Sequence, residues 1–136
     1  MYKNILVPIA LGHEEPGNGA IAVARSLLDP DGGVTLLHVL ESMPGFVAAQ
    51  IPKEVVAESR DLAMKELESI ASASGLEAKV EMIMGHPGRS IVDYAQEHGT
   101  DCIVVASHRP GLQDYFIGST AAFVVRHAGC PVHVTR

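Results

Sequence analysis

Apolar residues along this chain gather into five short runs, at 5–9, 34–40, 78–84, 102–106 and 132–135, with helical patterns between them. Several runs are continuous, not alternating. A strand with one wet face alternates apolar and polar residues, so continuous runs predict strands buried on both faces. The intervening segments 20–28, 52–74, 89–98 and 120–127 carry the helical spacing. The second is the clearest. Pro52 suits a first helical turn, Val56, Ala63, Leu67 and Ile70 share one face, and Asp61 and Lys65 form an i,i+4 pair on the other. Asp29-Pro-Asp-Gly-Gly33 and Ala73-Ser-Gly75 mark helix ends and turns.

Strand and helix alternate throughout, which predicts an α/β fold: one three-layer domain over residues 1–136, a parallel sheet with helices on both faces and right-handed crossovers. Ligands in such sheets sit beyond the carboxyl ends of the strands, where strand order reverses. The loops that matter are therefore 9–19, 40–52, 85–88 and 106–119. The segment 41–51 is expected to be the most mobile.

Composition narrows the function. With 136 residues, 47% apolar and 19% charged, the chain is long enough to bury a core without staples. No run approaches ~20 apolar residues, so no membrane insertion is expected. The first strand pattern starts at once after Met1, which leaves no secretory signal and points to the cytoplasm. Cys102 and Cys130 stand in apolar surroundings without metal spacing and read as buried thiols. The seven histidines show no HxH or HExxH spacing, so no metal site is expected.

The net charge of −6 argues against nucleic acid as a partner. That charge is unevenly placed. Residues 1–105 carry a net −8, whereas residues 106–136 carry +2, from Arg109, Arg126 and Arg136 against Asp114. The one anion-friendly part of the chain is also where the sequence Ala-Ser-His-Arg-Pro-Gly-Leu-Gln-Asp-Tyr-Phe-Ile-Gly-Ser-Thr runs from 106 to 120. It leaves the carboxyl end of the fourth strand and delivers Gly118-Ser-Thr120 at the start of the last helix. Free N–H groups and a partial positive charge suit that position to phosphate. Gly118 lets the backbone come close, the Ser119 and Thr120 hydroxyls add donors, and Arg109 can reach the same anion. An ordinary helix start after a long loop stays open beside this reading.

Other chemistry is weaker. No Gly-Lys pair exists for a P-loop. Gly17-Asn-Gly19-Ala-Ile-Ala22 fits GxGxxA, yet seven residues separate it from the first strand, among them Glu14 and Glu15, which repel a pyrophosphate. It reads as a helix start. Ser107 beside His108 suggests a nucleophile and base, but neighbours on an extended backbone point apart and no third carboxylate is evident. Asp93 and Glu97 read as a solvated helix face.

Tyr2-Lys-Asn-Ile-Leu-Val-Pro8, Leu36-Leu-His-Val39, Gly85-His-Pro87 with Ile91, Ala106-Ser-His108, Gly118-Ser119, Val125-Arg-His-Ala and Cys130-Pro-Val together resemble the universal stress proteins, over the whole chain and in order. The resemblance implies a five-stranded parallel sheet in the order 3-2-1-4-5. It also implies binding of ATP or AMP, with Mg²⁺ accompanying ATP, through a G-x2-G-x9-G-[ST] signature. Pro8, Ile9 and Ala10 would lie along base and sugar, and the backbone of Val39 would bond the adenine edge. Val105 and Ala106 would form the floor, and Arg109, Gly118, Ser119 and Thr120 would hold the phosphates.

This chain departs from the signature. Ala106 and Arg109 replace its first two glycines, and eight residues separate Arg109 from Gly118. The Ser-His-Arg-Pro form resembles a bacterial branch with a shorter loop in which nucleotide binding persists. Ala10 stands where ATP-binding relatives carry an Asp near the ribose. The implied role is a regulatory or sensory module in the stress response, with a further protein partner. The alternatives are a slow ATPase and an interaction module that has lost its nucleotide, the last favoured by Ala10 and Ala106. The resemblance also implies a homodimer joined through the last strand, residues 131–136.

Overall fold

A computed structural model describes residues 1–11, 18–107 and 117–136. Five parallel strands form one sheet: β1 (Tyr2–Pro8), β2 (Leu28–Leu40), β3 (Lys79–Met84), β4 (Cys102–Ala106) and β5 (Val132–Thr135). Their order is β3-β2-β1-β4-β5, as the family resemblance implies. The helices between them are α1 (Asn18–Leu27), α2 (Gly45–Ala48), α3 (Lys53–Ala73), α4 (Pro87–Glu97) and α5 (Ser119–His127).

The continuous apolar runs follow from the two cores. On and just past β1, Ile5, Val7 and Ile9 enter one core with α1 and α3, while Leu6 enters the other with α4 and α5. Val34 and Leu36 join the first and Leu37 the second; Cys102 and Val104 alternate with Ile103 and Val105 in the same way. Both faces are dry, so both sets must be apolar. Helices α1 and α3 close one face through Ala20, Ile21, Ala24, Leu67 and Ala71. The other is closed by Ile91, Val92 and Ala95 of α4 and by Ala121 and Val124 of α5. Gly88 matters there, since a Cβ on it would lie 2.7 Å from the Phe123 ring.

Boundaries differ from the sequence expectation in three places. The Asp29–Gly33 turn signal is real, with the Asp31 N–H donating to Asp29 Oδ1 at 2.9 Å, but it interrupts β2 instead of preceding it. Tyr2 pairs with Leu28 and Asn4 with Gly33, so the ladder resumes after the excursion. The 41–51 segment contains the short helix α2, none of whose residues is buried. Helix α4 starts at Pro87, because the imidazole of His86 accepts the Arg89 N–H at 3.2 Å and caps the turn. The Ala73-Ser-Gly75 signal does end α3, with Gly75 at φ +74.

At the amino end of the sheet one carboxylate ties the strands together. Asp101 accepts the Lys3 and Asn4 N–H groups, each at 2.9 Å, and Asn4 Nδ2 donates to His98 O at 2.7 Å. Arg25, in the last turn of α1, donates to Ser74 O at the end of α3. Among the described residues no helix is long and apolar enough to cross a membrane.

Candidate functional site

Strand order reverses at β1. From β1 the chain crosses through α1 on one face to β2; from β4 it crosses through α5 on the other face to β5. A sheet of this topology has its ligand crevice above the carboxyl ends of the strands that flank the reversal, here β1 and β4. Among the described residues, Ile9 and Ala10 past β1 and Val39 near the end of β2 stand on one side, and Ser107 and Gly118 on the other.

On the first side both backbone groups of Ile9 are held. The Ile9 N–H donates to Leu37 O at 2.8 Å, extending the ladder one residue past β1. His38 Nδ1 then donates to Ile9 O at 2.8 Å. A carbonyl oxygen only accepts, so Nδ1 carries the proton and the tautomer is fixed. Ala10 follows, exposed, and Val39 is half-buried beside His38.

On the second side Ser107 leaves β4 and is buried. Its N–H and its hydroxyl both donate to Thr135 O on β5, at 2.9 and 3.2 Å. Helix α5 begins directly opposite: a Cβ on Gly118 would lie 3.5 Å from Ser107 O. Gly118 O accepts the Ala122 N–H at 2.8 Å, and Gly118 has no side chain with which to cap the free N–H groups of the first turn. Its φ of −61° suits any residue, so the glycine is not required by its own backbone.

Of the ten residues expected at a nucleotide site, Pro8, Ile9, Ala10, Val39, Val105 and Ala106 come together at these strand ends, and Gly118, Ser119 and Thr120 at the start of α5. Ile9 and Val105 are core side chains, each 3% exposed, so their side chains are not presented to a ligand. Arg109 lies outside the described residues, as do Asp114, His108, Glu14, Glu15 and Gly17. Helix α1 starts ten residues after β1 ends, not in the tight turn of a dinucleotide fold. The Ser107 hydroxyl spends its hydrogen on Thr135 O, which explains its burial without a nucleophilic role.

His38 and Ser107 are the two anchors that periodicity did not single out. Each is a polar residue in or next to an apolar strand run, and that mismatch is the signal that marks them. Burial, with Cys130 and Asp101 nearby, pushes the Cys102 thiol up to about 11; burial also raises Cys130. Both cysteines are free and unsuited to nucleophilic work at neutral pH. No group of described residues has the acidic, thiol or imidazole ligands to hold a metal ion.

The profile of the Universal stress protein family matches residues 1–136. The chain belongs to that family. Universal stress protein G of Escherichia coli O157:H7 is 29% identical over 142 residues, covering all of both chains. The solved hypothetical protein MJ0577 is 26% identical, with a TM-score of 0.81 over 99% of this chain and 96% of its own. Two further universal stress protein structures share the fold and hold nucleotides. The Archaeoglobus fulgidus protein is in complex with dAMP (21% identity, TM-score 0.68, 99% and 98% covered). The Arabidopsis thaliana protein has AMP bound (20% identity, TM-score 0.63, 97% and 90% covered).

Proposed function

We propose that this universal stress protein binds an adenine nucleotide, ATP or AMP, across the crevice above β1 and β4, and acts in the cytoplasm as a regulatory module whose state follows that nucleotide. The observation that carries the reading is the start of α5. Uncapped N–H groups and the hydroxyl residues Ser119 and Thr120 stand at one helix N-terminus, with the small Gly118 against the carbonyl of the buried Ser107, an arrangement suited to phosphate. The nucleoside then extends over Ala106 toward Pro8, Ile9 and Ala10, with the Val39 backbone at the base edge. The relatives solved with AMP and dAMP support adenine as that base. Mg²⁺ accompanies the phosphates when the nucleotide is ATP.

The same reading includes a homodimer. Ile103 N–H bonds Pro131 O and Ser107 N–H bonds Thr135 O, so odd-numbered residues of β5 face β4. In a parallel ladder the backbone groups of the residues between them, Val132 and Val134, then point to the open edge. An antiparallel partner about a two-fold axis pairs both edges at once.

Calorimetric titration tests the central claim. ATP and AMP should bind with micromolar affinity, on the order of −8 kcal/mol, and NADH should give no heat. The absence of heat with either adenine nucleotide at about 100 µM protein overturns the reading.

A further inference from the structure

His38 is a polar residue inside a strand whose neighbours Leu36 and Leu37 are fully buried, and its ring spends its one neutral-state hydrogen on the carbonyl of Ile9. Ile9 is the last residue of the β1 side with a ladder bond. Its N–H is fixed by Leu37 O, and without the imidazole its C=O would be free to turn. Ala10, the next residue, is exposed and begins the open wall of the crevice. One histidine therefore joins the two pieces of backbone meant for the nucleoside. Its side chain aims the Ile9–Ala10 peptide from β1, and its own strand carries Val39 immediately after it.

We infer that His38 is a positioning residue for nucleoside recognition: it holds the Ile9–Ala10 peptide in register with Val39, so that base and sugar meet a preformed wall. This inference rests on the nucleotide reading above. Binding is tighter to a wall already fixed than to one that must be ordered by the ligand. The effect belongs to the nucleoside half of the ligand and is shared by ATP and AMP alike. Phosphate contacts at the start of α5 are independent of it.

Asparagine and glutamine separate this role from mere tolerance of the site. The amide nitrogen of Asn sits close to where Nδ1 sits, whereas that of Gln reaches toward Nε2, beyond Ile9 O. We expect His38→Asn to keep ATP and AMP affinities within about threefold of the parent, and His38→Gln and His38→Leu to lose about tenfold for both nucleotides. The measurements are calorimetric titrations of the full chain with ATP and with AMP, alongside thermal melts of each variant. Should His38→Leu fail to fold, the comparison of the two polar variants decides. Equal affinity in the Asn and Gln variants, or a loss confined to ATP, overturns the inference while leaving nucleotide binding intact. A parent protein that binds neither nucleotide overturns the reading on which it rests.

Discussion

On the β1–β2 side of the crevice every anchoring bond joins two interior strands, whereas on the β4–β5 side the anchor, Thr135 O, belongs to the outermost strand. The first side is locked by residues that also serve the core: Ile9 and Leu37 are buried, and His38 is fixed between them. The second is locked by two donors of Ser107 on one carbonyl of an edge strand with four residues. A wall built from interior strands keeps its shape with or without a partner. A wall built on an edge strand depends on what pairs with that edge. The proposed nucleoside end is thus preformed by the fold itself, and the proposed phosphate end is the one open to regulation through assembly.

The largest expected effect is at the edge. Val134→Pro removes an edge N–H on both copies of β5 and should weaken the dimer about a hundredfold, two lost hydrogen bonds multiplied by symmetry. Analytical ultracentrifugation should find a dimer before the substitution and a monomer after it. A parent protein that sediments as a monomer, or a dimer untouched by the proline, ends the strand-pairing proposal and with it the asymmetry between the two walls.

Next comes the start of α5. A Cβ at Gly118 makes only an ordinary contact with Ser107 O, so the backbone there accepts a first side-chain carbon, and a thermal melt of the variant separates a folding loss from a ligand loss. Gly118→Val should reduce ATP affinity at least about tenfold and AMP affinity by less, because AMP has fewer phosphates to hold. Equal losses for the two nucleotides would remove Gly118 from the phosphate end.

The smallest effect is on the opposite wall, and it is a gain. Ala10 is exposed just past the Ile9 anchor. Ala10→Asp should restore a ribose contact worth about 1 kcal/mol, raising ATP and AMP affinity about fivefold and to the same degree. Unchanged affinity for both would place the ribose away from this loop. A gain for ATP alone would reverse the assignment of the two ends.

What the sequence determined by itself was the layering. Continuous apolar runs separated by helical spacing can be satisfied only by a sheet dry on both faces, because each residue's direction alternates and every direction must meet an apolar partner. The start of the last helix was legible for the same local reason: Gly118-Ser-Thr120 follows a loop and precedes an apolar periodicity. Strand order came from family resemblance, since no local pattern says which strand neighbours which. Tertiary structure alone decided the anchors. His38 and Ile9 are 29 residues apart, Ser107 and Thr135 are 28 apart, and Asp101 reaches back 97 residues to Asn4. A hydrogen bond across such separations exists only once the strands that carry its two ends lie side by side. A histidine in an apolar run therefore reads as an oddity in the chain and as a fixed peptide in the fold.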